Sequence, residues 1–158
     1  MSIFSKSDSA TVGIGFGRFS DCYKSPENVE HWNEACEYFN QQKYLDAYEA
    51  FLNYLKEDEV DNVKYERGPD QIKFKFPQGS KEVFGFADGA KVMAEVNVAQ
   101  FTKLSVAFMR RLLDLNYNLN YSRSALKDNI ICMKFDTSVI DGSPMKLYFA
   151  FKEIATQA

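Results

Sequence analysis

Three glycines at alternate positions, Gly13, Gly15 and Gly17, are the first residues that could do chemistry. Glycine-rich turns bring backbone N–H groups onto a phosphate. A dinucleotide fingerprint needs a preceding strand, a different glycine spacing and a helix that opens at once. Arg18-Phe19-Ser20-Asp21 follows instead, and no G-x-x-x-x-G-K-[ST] occurs. The glycines read as part of a flexible arm. His31, the single histidine, has Glu30 and Glu34 near it and could be imagined as a base. A triad needs a positioned nucleophile and partner, and no such motif accompanies it, so it reads as a helix-surface histidine. Cys22, Cys36 and Cys132 show no C-x-x-C spacing and are odd in number, which disfavours a disulfide framework or a zinc site. Cys36 and Cys132 read as core, and Cys22 as a loop thiol with no adjacent cation to lower its pKa.

Two charge clusters remain. Glu57-Asp58-Glu59 with Asp61 could suggest a divalent cation, but lacks the alternation and central glycine of a calcium loop, and reads as a solvated helix end. Lys73, Lys75 and Lys81, with Lys64 and Arg67, are expected to line one sheet face, interspersed with Glu66, Glu82 and Glu95. That pattern reads as a wet face of mixed charge. No catalytic residue, cofactor or metal ligand is assigned.

The elements that must position these residues come from periodicity. The 158 residues are 46% hydrophobic and 26% charged, enough for one compact domain without disulfides or metal. There are 14 Phe, 9 Tyr and one Trp, which implies a large rigid core. Trp32, Phe39, Phe51, Phe74, Phe76, Phe84, Phe86, Phe101, Phe108 and Phe151 fall on periodic faces and read mostly as core. The net charge of −3 argues against nucleic acid. With no signal-like or membrane-spanning stretch, a cytoplasmic protein away from membranes is expected.

Residues 1–26 read as a Gly/Ser-rich arm, in which Val12, Ile14 and Phe16 could form a short edge strand or a partner contact. Residues 27–158 read as a single α+β domain. Ser25-Pro26-Glu27 starts a helix. Apolar stripes at Trp32, Ala35, Cys36, Phe39 and then Tyr44, Ala47, Tyr48, Phe51, Leu52, Leu55 predict a helical hairpin, with one long bent helix as the alternative. From Asp61 the period becomes 2. Strands are expected around Val63–Tyr65, Ile72–Phe76, Val83–Phe86 and Val92–Val98, separated by turn residues. Phe101 to Tyr117 returns to helical period, with one stripe of Phe101, Leu104, Phe108, Leu112, Leu115 and a second of Val106, Met109, Leu113, Tyr117. Together they cover roughly 220° of arc, where packing on one sheet needs little over 100°. Strands near 121–127 and 129–137 follow. Ser143-Pro144 then opens a last helix over Leu147–Ala155, a strand being the alternative. The sheet is expected to have five to six strands.

The hairpin resembles a single tetratricopeptide repeat, with Ala35 and Ala47 at small positions, Tyr38, Tyr44 and Phe51 at large ones, and Trp32 one residue from its aromatic start. One such repeat cannot bury its own face, so it must pack on something else. The element order, with Leu112-Leu113-Asp114-Leu115-Asn116 and then Ser124-Ala125-Leu126-Lys127-Asp128-Asn129-Ile130-Ile131, resembles the type III secretion chaperone-like fold, which includes YbjN-type bacterial proteins. The resemblance implies a small cytoplasmic homodimer that binds a polypeptide partner without catalysis. The surplus arc points to Val106, Met109, Leu113 and Tyr117 as the interface. Two other classes stay open: a binder of a small apolar ligand in an aromatic cleft between sheet and helix, and an enzyme whose Asp, Glu, Tyr, Cys22 or His31 meet only in space.

Overall fold

The computed structural model describes residues 24–57, 61–78 and 81–158. The expected arm lies outside them up to residue 23, as do Cys22 and the triple glycine. Helix α1 (Pro26–Asn40) opens on a reciprocal cap: the Asn28 N–H donates to Ser25 Oγ, and the Ser25 N–H donates to Asn28 Oδ1 at 3.1 Å. The cap supplies partners for N–H groups that a helix start leaves orphaned. Gln42 takes φ 61° and turns the chain, its neighbour Lys43 donating back to the Tyr38 carbonyl. Helix α2 (Tyr44–Leu55) follows at once, so the segment is a hairpin rather than one bent helix. Gln42 supplies the left-handed residue usually provided by glycine, which is why no turn signal was visible there.

α2 carries the richest buried stripe, Ala47, Tyr48, Ala50, Phe51, Leu52 and Leu55. Its end is tied down by buried Asn62, which donates to the Leu55 carbonyl at 3.0 Å and accepts from the Glu57 N–H at 2.9 Å. Asn28 Nδ2 donates to the Lys56 carbonyl, closing the hairpin's open end.

Among the described residues six antiparallel strands form one sheet: β1 (Lys64–Arg67), β2 (Gln71–Gln78), β3 (Lys81–Asp88), β4 (Lys91–Gln100), β5 (Arg123–Lys127) and β6 (Ile130–Ser138), in spatial order β1-β2-β3-β4-β6-β5. The first four are a meander. Between β4 and β5 runs helix α3 (Val106–Asn118), and helix α4 (Pro144–Gln157) closes the described chain. Ser143 caps α4 and Pro144 occupies its first turn, which settles helix over strand. The class is α+β, as the periodicity indicates.

Register fixes the two faces. Phe76, Val83, Val96 and Met133 lie in one cross-strand row, and Phe74, Gly85, Ala94 and Phe135 in the next. This face packs against the hairpin and α4. Phe151 of α4 is the hub, with ring centroids 5.7 Å from Phe51, 5.5 Å from Phe74 and 5.4 Å from Phe76. Burying a phenylalanine side chain contributes about 1.5–3 kcal/mol, so this cluster is a main source of stability. The hairpin thus buries its face on the sheet and α4 rather than on further repeats.

Candidate functional site

The opposite sheet face carries the other half of each alternation. One row runs Lys64, Lys75, Phe84, Glu95, Lys134 and Arg123. The next runs Glu66, Lys73, Phe86, Met93 and Asp136. Phe84 and Phe86 therefore point away from the core, and Val83 and Ala87 take the inward places. This corrects the reading of the two phenylalanines as core: Phe84 is 36% exposed. Val83-Phe84-Gly85-Phe86-Ala87 is apolar at every position, so alternation alone cannot say which set faces the helices.

Phe84, Phe86 and Met93 floor a groove of about 630 Å³ whose charged lining is Lys64, Glu66, Lys73 and Lys75. Lys64 stands directly across from Lys75, an unfavourable like-charge pair for a bare sheet face. Each leans outward to an acid, Lys64 to Asp61 at 3.2 Å and Lys75 to Glu82 at 3.4 Å, all well exposed. Lys73 makes no ion pair among the described residues. Lys91 Nζ sits 5.4 Å from the Phe86 ring centroid, a cation–π distance. Two of the basic residues expected on this face lie on the other. Arg67 pairs with Asp46 and Glu49 of α2, and Lys81 donates to the Val98 carbonyl. The alternative of an apolar-ligand binder places its cleft between sheet and helix; this groove lies on the other sheet face, away from the described helices.

Farther along the same face, Glu95 is 4% exposed. Its Oε1 accepts no hydrogen bond, and its carboxylate is balanced by Lys134 at 3.7 Å and Lys127 at 3.9 Å. Burial pushes the Cys132 thiol above its ordinary pKa, and the Glu95 carboxylate adds to the effect. A thiol held protonated is a poor nucleophile. Cys132 is buried as expected; Cys36 is only half-buried.

The second surface is α3. Ser105 caps it by accepting from the Phe108 N–H at 3.2 Å, so the helix begins at Val106 and not at Phe101. Ser124 of β5 donates from its N–H to Asn116 Oδ1 at 2.7 Å and from its hydroxyl to the Leu112 carbonyl at 3.3 Å. The helix therefore lies along the last strand of the sheet and satisfies part of its open edge. Not one of its 13 residues is buried. Leu112 and Leu115 are half-buried, while the expected core residue Phe108 is 37% exposed. Val106, Met109, Leu113 and Tyr117 are 64%, 40%, 68% and 91% exposed. Neither the hairpin nor α4 takes up the surplus apolar arc.

The loop between α3 and β5 is held by Glu153 of α4. Its carboxylate accepts the N–H groups of Asn120, Tyr121 and Ser122 at 2.7–2.9 Å, and the Ser122 hydroxyl at 2.8 Å. Partial burial works to raise the Glu153 pKa. The converging donors outweigh it and hold the carboxyl below its usual range. The position of α3 thus rests on Glu153 on one side and Ser124 on the other. His31 Nδ1 is 3.0 Å from Glu34 Oε2 within the helix. Among the described residues no cluster of His, Cys, Asp and Glu could hold a metal ion, and no helix is long and apolar enough to cross a membrane.

No protein-family model matches the chain, and no curated protein matches it. The groove and the exposed α3 stripe are therefore the features on which function is argued.

Proposed function

We propose that the chain is a non-enzymatic, chaperone-like protein-binding domain that works as a homodimer through α3, the assembly that its likeness to the type III secretion chaperone-like fold implies. One observation carries the reading. A 13-residue amphipathic helix sits at the end of the sheet with none of its residues buried. Helices of this length draw most of their stability from tertiary packing of the apolar face, and among the described elements α3 packs chiefly on one strand, β5. A second copy supplies the missing cover. The helix is about 20 Å long, and an antiparallel two-fold crossing sets Val106 of one copy against Tyr117 of the other and Met109 against Leu113. Met and Tyr suit such a surface, because interface cores are enriched in both. A two-fold contact uses the same patch twice and closes without forming filaments.

Sedimentation equilibrium at tens of micromolar is the test. The wild-type chain is expected as a dimer and Leu113→Glu as a monomer with an unchanged circular-dichroism spectrum. A strict wild-type monomer refutes the dimer. The polypeptide-binding half is read separately, by suppression of the aggregation of a reduced, unfolding client protein. Absence of suppression at excess chain refutes that half.

A further inference from the structure

We propose that the groove over Phe84, Phe86 and Met93, which none of the described helices covers, docks an acidic amphipathic α-helix of the partner polypeptide; this rests on the polypeptide-binding reading above and names its site. The chemistry of the groove selects the occupant. The chain as a whole is acidic, with a net charge of −3, yet the charged lining is three lysines to one glutamate. Lys64 and Lys75 face each other across the β1–β2 pair, and among the described residues no acid pairs with Lys73. A bound carboxylate near these three relieves the like-charge pair and gives Lys73 a partner. Between the lysines and Met93 the floor is aromatic and apolar, so the occupant has an apolar stripe beside its acids.

Backbone chemistry selects a helix over a strand. β2, β3 and β4 are paired on both sides, so their backbone groups beneath the groove are engaged, and the one open edge here, that of β1, lies at the rim rather than over Phe84, Phe86 and Met93. An extended segment laid across this face leaves its own N–H and C=O groups without partners. A helix satisfies its backbone internally and presents only side chains, the helix-in-groove mode. The dimensions agree: β1 to β4 spans three strand spacings, about 14 Å, against a helix diameter of about 10–12 Å. A second copy's α3 does not fit, because its exposed charges, Arg110 and Arg111 against Asp114, are basic on balance. The acidic helix α1 already lies against α2, with Ala35 buried and Trp32 on Phe51 and Tyr54.

The test uses a fluorescein-labelled, stapled peptide of about four helical turns, with leucines on one face and glutamates flanking them. A twin carries lysines in place of the glutamates. Fluorescence anisotropy is titrated with the full chain. The Glu peptide is expected to bind at least tenfold more tightly than the Lys twin, and the preference is expected to shrink with added salt. Phe84→Ser is expected to weaken the Glu peptide at least tenfold while circular dichroism stays unchanged. Lys73→Glu keeps the proposal falsifiable should the serine variant lose its fold: it is expected to weaken the Glu peptide and strengthen the Lys twin. Equal binding of the twins, binding indifferent to both substitutions, or no binding of either peptide overturns the proposal. So does saturable uptake of decanoate by a chain that binds neither peptide, which would mark a small-ligand groove. If the peptides fail while the wild-type chain still suppresses client aggregation, the groove assignment alone falls. If suppression fails as well, the polypeptide-binding reading falls with it.

Discussion

Replacing Gly85 by alanine tests how closely β3 is packed between the core and the groove. Gly85 pairs with Phe74 on β2 and Ala94 on β4. A Cβ there would stand 2.2 Å from the Met93 carbonyl oxygen, 2.5 Å from Phe74 Cζ and 2.8 Å from Phe74 Cε2. The Met93 oxygen belongs to the neighbouring strand and cannot swing away alone. The Phe74 ring is itself wedged, with centroids 5.5 Å from Phe151 and 6.4 Å from Phe76. Overpacking of this kind costs about 1–3 kcal/mol, and two obstructed directions place Gly85→Ala at the upper end. The stiffer unfolded chain returns about 0.4–1 kcal/mol. The net loss expected is about 2 kcal/mol, or about 4–8 °C in Tm for a domain of this size. Urea unfolding followed by Trp32 fluorescence measures it, since the only tryptophan reports the core through Tyr54 at 4.9 Å. Gly89→Ala is the control, because an added Cβ there meets nothing within 4 Å; a shift within about 0.5 kcal/mol is expected. In the Gly85→Ala background, Phe74→Leu is expected to cost less than in the wild type, since the smaller side chain relieves one of the two clashes. A Gly85→Ala chain as stable as wild type, or indistinguishable from Gly89→Ala, refutes the packing argument.

Two further outcomes follow from polar groups. Glu153 has a folded-state pKa below its ordinary value of 4.5, so its contribution is present above that value and is lost as pH falls through the folded pKa. Glu153→Gln is therefore expected to be less stable than wild type near neutral pH, with the gap closing below about pH 4.5; denaturation midpoints across pH 3–7 that keep a constant gap would contradict it. Asn62→Leu orphans the partly buried Glu57 N–H and the buried Leu55 carbonyl. It is expected to cost about 2 kcal/mol, and a urea midpoint unchanged at constant slope would show that the hydrogen bonds at the end of α2 are dispensable.

The class of each element was legible because it depends on local spacing. Ser25-Pro26 and Ser143-Pro144 marked helix starts, since capping and a fixed proline φ act within a turn of chain. The period change at Asp61 marked the strands for the same reason. Periodicity starts the helix at Val106 too early, because Phe101 and Leu104 continue its apolar stripe although the Phe101 N–H donates to the Asn129 carbonyl. Periodicity cannot distinguish a helical turn from apolar residues that merely precede one. The hairpin turn carries no glycine or proline signal because Gln42 itself adopts the left-handed conformation.

The candidate surfaces divide in the same way. The apolar excess on Val106, Met109, Leu113 and Tyr117 is a property of one helix and could be counted from the chain; that no other described element covers it depends on where α3 lies. The groove was not legible. Val83-Phe84-Gly85-Phe86-Ala87 offers two apolar faces, and the five-residue run is consistent with either orientation. Phe84 and Phe86 are turned outward because β3 is held in register with Phe74 and Ala94 through Gly85, whose missing side chain leaves room for the Phe74 ring on the core side. The lysines share a face with them only through cross-strand pairing of residues distant in sequence. Sequence by itself determined the elements, their order and the α+β class, because helix and strand periods are written in neighbouring residues. Tertiary structure decided which face of the sheet is buried, where the lysines meet the aromatics and that no other described element covers the outer stripe of α3, because those follow from strand register and from what packs on what.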